Sequence, residues 1–370
     1  MRNILLIAAL FFHSFFYSSS YAKVTFDLGA RMEMDYSHYD DDFTQFIRED
    51  HDVRRFRFGL FTKFNEKFSA YFQTDFSDYV SKHKGSTQAA WFRYRANKSN
   101  EFYMGKMEMP FSLESVSNSK YHFFMERSIA SALTERYGTG FNYIHYGNDW
   151  NMRIGVFGDD HYNLGSSSSY GRTVTGRIGK KIKAFNGRMY LGFSGQYREP
   201  DETIKVRTLP ESHTFNARLL NTGELFFIDT IEKYGLEALW KNDHWTLQAE
   251  YIQNNINREF GEDLSYTGGY LIASHIFNGK RRFSFRKGEW SSTKVDNWKT
   301  WEISARYSFL DLKADDLNAG FEENISVGIN YYMSRKNRIM FNYIHAKADP
   351  NSFGVNESLN IYQVRFQFEF

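Results

Sequence analysis

The last ten residues of this chain alternate without a break. Tyr362, Val364, Phe366, Phe368 and Phe370 fall on one side of an extended backbone, and Gln363, Arg365, Gln367 and Glu369 on the other. Successive side chains of a strand point to opposite faces, so a period of two over this length specifies a β-strand with one apolar and one polar face. The pattern recurs at Phe56, Phe58 and Leu60; at Phe68, Ala70, Phe72 and Phe76; at Trp150, Met152, Ile154 and Val156; and at Met189, Leu191 and Phe193. It returns at Trp245, Leu247, Ala249 and Tyr251; at Trp301, Ile303, Ala305 and Tyr307; and at Ile325, Val327, Ile329 and Tyr331. A chain made of such segments is all-β.

Alternation alone does not separate a secreted sandwich from a transmembrane barrel. The mean hydropathy of −0.57 suggests a soluble protein, but a barrel wall averages lipid-facing apolar residues with lumen-facing polar ones and hides from hydropathy. Two features favour the barrel. Aromatic residues, 19% of the chain, sit at segment ends as well as centres, as interface girdles require. The segments are also near ten residues long and separated by alternately short and long connections.

Arg2, the apolar run Ile4 to Phe12 and Ser20-Tyr21-Ala22 read as the charged, apolar and cleavage regions of a secretory leader over residues 1–22, leaving 23–370 as a single barrel domain. His13 and Ser14 interrupt the run before it reaches the roughly 20 residues of a spanning helix. The leader implies export, which is compatible with a barrel in the outer membrane of a Gram-negative cell and in contact with its lipid. The chain has no Cys, which excludes thiol chemistry and thiolate metal sites. A formal charge of +2 argues against a nucleic-acid partner.

Short turns are expected at Asn65-Glu66, Lys98 to Asn100, Gly147 to Asp149, Asn186-Gly187, Lys241 to Asp243 and Arg335 to Asn337. Long loops are expected at about 37–51, 78–86, 109–137, 159–171, 257–265, 313–320 and 348–360. A first count gives seventeen strands, one of them weak and near 213–220. Both ends lying in the periplasm demand an even number. If 200–231 is one external loop and 278–299 a long periplasmic turn, the count is sixteen, a size that leaves an aqueous channel. The terminal strand should then close on the strand beginning near Val24. Loop 109–137 carries Phe111, Leu113, Val116, Phe123, Phe124, Met125, Ile129 and Leu133, too apolar a set for a wholly exposed loop, and is expected to fold inward.

Several runs in order resemble the phosphate-selective porin O and P family of Gram-negative outer membranes. The most specific is MEMPFSLESVSNSKYHFFMERSIASAL, Met107 to Leu133, with its PFSLE and FMERS elements. EISARYSFLDL (Glu302 to Leu312), ENISVGINYYMSRKNRIMFNYIHA (Glu323 to Ala346), YGLEALW (Tyr234 to Trp240), LQAEY (Leu247 to Tyr251) and the terminal VRFQFEF are also similar. The resemblance implies a sixteen-stranded antiparallel transmembrane β-barrel with an inward-folded third external loop. It also implies a homotrimer, passive diffusion of phosphate or other small inorganic or organic anions, and no cofactor. It marks Arg127 of FMERS and the pair Arg54-Arg55, read as preceding the second strand, as functional positions. The acidic first loop, with Asp40, Asp41, Asp42, Glu49, Asp50 and Asp52, departs from the family's basic character and leaves phosphate selectivity open.

With the apolar face outward, Arg55, Arg57, Lys63, Arg93, Arg95, Arg153, Arg177 and Lys181 point into the lumen, and Asp75 is the one acid among them on the same strands. Farther on, Arg198, Arg306 and Arg365 are offset by Glu237, Glu250 and Glu302. Rings of Arg and Lys in a narrow pore focus an anion-attracting field. A single such arginine is more often ordinary polar lining, and the argument rests on the group. In the inward loop Lys120, Arg127 and Arg136 lie among Glu114, Glu126 and Glu135, where ion pairs that pin the loop compete with direct contact to the permeating ion. A general diffusion porin and a surface adhesion barrel remain as alternatives. Enzyme chemistry is thin, with no GxSxG, HExxH or phosphate loop, and His275 and His345 read as wall residues.

Overall fold

The computed structural model describes residues 24–41, 49–77, 85–158, 171–201, 203–215, 217–314 and 317–370. The expected leader lies outside the described residues. The wall consists of β1 (Thr25–Asp41), β2 (Glu49–Lys63), β3 (Phe68–Asp75), β4 (Ser86–Arg95), β5 (Asn100–Glu108), β6 (Tyr137–Tyr146), β7 (Trp150–Gly158) and β8 (Arg172–Ala184). It continues with β9 (Gly187–Glu199), β10 (Ile228–Lys241), β11 (Trp245–Arg258), β12 (Leu264–Phe277), β13 (Thr300–Lys313), β14 (Asn318–Tyr332), β15 (Arg338–Ala348) and β16 (Glu357–Glu369). Each pairs antiparallel with its neighbours, and β1 closes on β16 from Arg31 opposite Glu369 to Asp41 opposite Leu359. Closure removes every sheet edge, the condition for a sheet to sit in hydrocarbon. Among the described residues no helix is long and apolar enough to cross a membrane.

The barrel is inside-out relative to a soluble protein. Arg55, Arg177 and Arg365 are each 2% exposed, while Phe141, Leu236 and Ile325 are 64%, 59% and 57% exposed on the outer face. Near the short turns, Phe64, Phe92, Phe68, Tyr94, Phe102 and Tyr143 follow one another at centroid distances of 5.0 to 6.2 Å. They form an interfacial girdle. Toward the other end, tyrosine hydroxyls reach for polar partners, Tyr234 to Glu232 at 2.9 Å, Tyr307 to Glu323 at 3.1 Å and Tyr343 to Asn360 at 2.9 Å. Such amphipathic rings suit a membrane boundary.

Several expected boundaries move. The first loop is expected over 37–51, but β1 and β2 pair into both ends of that range, with Ser37 opposite Asp50 and His38 opposite Glu49. Ladder hydrogen bonds extend a hairpin into water without apolar side chains, so polarity marks the membrane edge and not the strand end. The loops expected at 257–265, 313–320 and 348–360 shorten for the same reason. The weak strand near 213–220 is not part of the wall. Leu220–Asn221 pairs only with Arg207–Thr208 inside the long loop. Arg54 and Arg55 lie within β2 rather than before it.

Three connections pack against lumen-facing side chains. Residues 109–136 place Phe111, Ile129 and Leu133 with Val206, Leu220 and Leu225 of the 200–227 loop against Ile231, Ile252, Ile256, Leu264 and Leu310 of the inner wall. The same loop brings Leu113, Phe123 and Phe124 against Leu239, Tyr270 and Ile272, where they meet Phe283 and Trp290 of the 278–299 turn. Phe215 and Leu219 cover Tyr39, Ile344 and Ile361. The inner face of β10 to β16 is therefore apolar where loops dock, unlike the polar inner face that simple alternation predicts.

Gly105 anchors the root of the 109–136 segment. Its φ of +121° favours glycine, and a Cβ there would lie 2.2 Å from the Ala90 carbonyl oxygen. Gly105→Ala should lower the yield of folded barrel by severalfold, read as loss of the heat-modifiable band on a denaturing gel; an unchanged yield would show that β4 and β5 can separate freely there.

Candidate pore and its charged lining

A β-bulge shapes the upper wall. Glu33 pairs with Arg55 and Met34 with Val53, which leaves Arg54 as an extra residue on β2. The bulge turns two adjacent arginines to the same side. Both approach Glu126 of the 109–136 segment: Arg54 through Nε and Nη2 at 2.7 and 3.0 Å, Arg55 at 3.8 Å. Arg365 of β16 joins them at 2.6 Å and also holds Asp35 at 2.6 Å. Burial alone would raise the Glu126 carboxyl pKa, but Arg54, Arg55 and Arg365 together hold it well below the ordinary carboxylate range.

Most of the expected lining cations are similarly engaged. Arg55 bonds Glu33, and Arg57 bonds Asp75 at 2.6 Å. Arg93 and Arg95 share Glu101 at 3.7 and 2.7 Å. Lys120 reaches Glu369 at 2.9 Å, and Arg136 holds Glu108 at 2.5 Å. Arg153 meets Glu289 at 2.9 Å, Arg177 meets Glu237 at 2.6 Å, and Arg306 bonds Glu211 with Glu114 at 3.8 Å. Glu135 is bonded by Lys233 and lies 3.2 Å from Arg198; burial works against its ionised form, yet these two cations lower its pKa to about 2.

Arg127 differs. It donates to the Glu114 and Ser117 carbonyl oxygens at 3.2 and 3.3 Å, and among the described residues no carboxylate lies within ion-pair distance of it. Burial, then Arg136, lower its pKa to about 10, which leaves it charged at neutral pH. It borders a cavity of about 250 Å³ between the 109–136 and 200–227 segments, together with Arg207 and Arg218. Among the described residues neither of those has a carboxylate partner. Glu126 and Glu211 also line the cavity but are held by Arg54, Arg365 and Arg306. Three guanidiniums without carboxylates thus converge on one space.

Sequence reasoning missed Arg207 and Arg218, Glu33 and Asp35 on β1, and the inward packing of the 278–299 turn. The turn's Arg281 holds Glu302 at 2.7 Å, and its Trp290 donates to Gln248 at 2.7 Å. The signal was available for the turn: Phe283, Phe285 and Trp290 are too apolar for an exposed connection, the same argument that applies to 109–137. His275 and His345 face outward, the His275 ring tilted against Trp245 at a centroid distance of 4.4 Å and His345 bonded to Asn360 at 3.0 Å. Among the described residues no group of His, Asp and Glu could hold a metal ion.

The family model for the phosphate-selective porins O and P matches residues 26–370. The chain belongs to that family. Porin O of Pseudomonas aeruginosa is 21% identical, over 88% of this chain and 84% of that protein. The fold is shared with OmpT of Vibrio cholerae in its trimer form, with TM-score 0.62, 10% identity and coverage of 94% and 99% of the two chains. An anion-selective porin from Comamonas acidovorans gives TM-score 0.61 at 14% identity, with 94% of this chain and 100% of that chain covered. Family and fold place this porin in the Gram-negative outer membrane and indicate a channel rather than an enzyme.

Proposed function

We propose that this porin is a passive diffusion channel for small anions, phosphate among them, driven by concentration difference alone. The observation that carries the reading is the convergence of Arg127, Arg207 and Arg218 on one cavity, none of the three ion-paired to a carboxylate among the described residues. The cations described above as ion-paired are balanced by their acids, so these three add uncompensated positive charge to the local field. A guanidinium offers a planar fork that matches two oxygens of a phosphate or carboxylate. The 109–136 segment, bonded to β2, β11, β13 and β16, narrows the pore and carries Arg127 into it. The charges Arg55, Arg57, Arg93, Arg95, Lys120, Arg136, Arg153, Arg177 and Arg306 act within ion pairs, shaping the wall and fixing the segment.

The protein assembles as a homotrimer and is exported with a leader cut after Ala22; the trimeric OmpT neighbour and the Ser20-Tyr21-Ala22 motif support these points. Planar-bilayer recording in a salt gradient tests the reading. The expected reversal potential has the sign of anion flow, and inorganic phosphate reduces chloride current. A reversal potential near zero, with no effect of phosphate, would favour a general diffusion porin instead.

A further inference from the structure

The inner face of β2 to β5 carries a row of rings, touched by the charged lining where Arg93 lies over Phe61 at 5.9 Å and Tyr103 donates to Glu101 at 2.9 Å. Phe61 stands directly opposite Tyr71, and Tyr71 directly opposite Trp91, so three rings cross three strands at one level. Tyr103 adjoins them on β5, opposite Arg93. Parity places the row inside: Phe61 shares its face with Arg55 and Arg57, Tyr71 with Asp75, and Trp91 with Arg93. Tyr71 and Trp91 centroids are 5.5 Å apart, Trp91 and Tyr103 5.1 Å, and Phe61 and Trp91 6.4 Å. A Cβ on Gly59 would lie 2.7 Å from the Tyr71 hydroxyl, so the Tyr71 ring lies along the wall in space that only glycine leaves open.

All four rings are half-buried. Trp91 and Tyr103 back onto Met107, Met109 and Phe157, whereas Phe61 and Tyr71 join no buried apolar cluster among the described residues. Apolar ring surface facing pore water has an unfavourable hydration cost. The flanking cations Arg57 and Arg93 are held by Asp75 and Glu101, so a small hydrated ion gains little at this level. What the row adds to the pore is flat π-surface, and a flat-faced solute is what stacks on it.

We propose that Phe61, Tyr71, Trp91 and Tyr103 form a contact lane for organic anions that carry an aromatic ring. The proposal rests on the anion-channel reading for its charge and on the row itself for its ring. The test compares block of single-channel chloride current by benzenesulfonate and methanesulfonate, which bear the same charge. Benzenesulfonate half-blocks the parent at about fivefold lower concentration. The double variant Tyr71→Leu/Trp91→Leu, which keeps apolar volume, brings the two within about twofold while methanesulfonate block stays as in the parent. Tyr71→Phe/Trp91→Phe retains the rings and the difference, and serves if the Leu variant fails to insert. Equal block of the parent by both sulfonates overturns the lane and leaves the anion channel standing. A parent without anion preference overturns the anionic half, and benzyltrimethylammonium against tetramethylammonium then reads the ring half: stronger block by the aromatic cation supports the row as a stacking surface, and equal block overturns it.

Discussion

Replacing Arg127, Arg207 and Arg218 together by Ser should lower the anion-to-cation permeability ratio by about threefold or more while leaving insertion intact. None of the three forms an ion pair with a carboxylate among the described residues, so their removal breaks no buried pair. The effect should grow at low ionic strength, since the Debye length lengthens from about 8 Å at physiological salt to about 30 Å at 0.01 M. The contrast is the quadruple Ser variant of Arg55, Arg57, Arg93 and Arg95. Those residues neutralise Glu33, Asp75 and Glu101, and removing one side of a buried pair costs about 3–5 kcal/mol. The quadruple variant should therefore insert poorly, and whatever inserts should shift toward cations. Equal reversal potentials in the parent and the triple variant would show that the cavity does not set selectivity.

Glu126→Gln should act in the opposite direction on charge and open the pore. The Glu126 carboxylate accepts from Arg54 twice and from Arg365, and so ties the loop to β2 and β16, with Lys120–Glu369 and Arg365 to the Met125 carbonyl as further ties to β16. An amide presents a donor where guanidiniums donate, so docking of the 109–136 segment should weaken by about 3 kcal/mol. Arg365 keeps Asp35 and Arg55 keeps Glu33, but Arg54 is left without a carboxylate among the described residues. Single-channel conductance should rise by about a factor of two, with larger open-channel noise and stronger anion preference. A conductance and reversal potential equal to the parent's would mean that the apolar contacts of Phe111, Phe123 and Phe124 hold the segment unaided.

Lipid imposes an apolar residue at every second position of a spanning strand, and this local constraint wrote the wall into the chain. The alternation ending at Phe370, the placement of short turns and the requirement for an even number of strands determined a sixteen-stranded closed barrel with β16 against β1. Phe61, Tyr71 and Trp91 fall on the inner face by the same alternation, though sequence reasoning singles out none of these rings and their alignment in one row depends on register. Which cations stay unpaired was decided only by the tertiary structure. Ion pairing depends on distance in space, and the partners here are far apart in the chain: Arg54 and Glu126 by 72 residues, Arg365 and Glu126 by 239, Arg365 and Asp35 by 330. No periodicity encodes such pairs. The bulge that turns Arg54 toward Glu126, the inward packing of the 278–299 turn and the apolar docking face of β10 to β16 likewise follow from contacts that exist only once the barrel has closed.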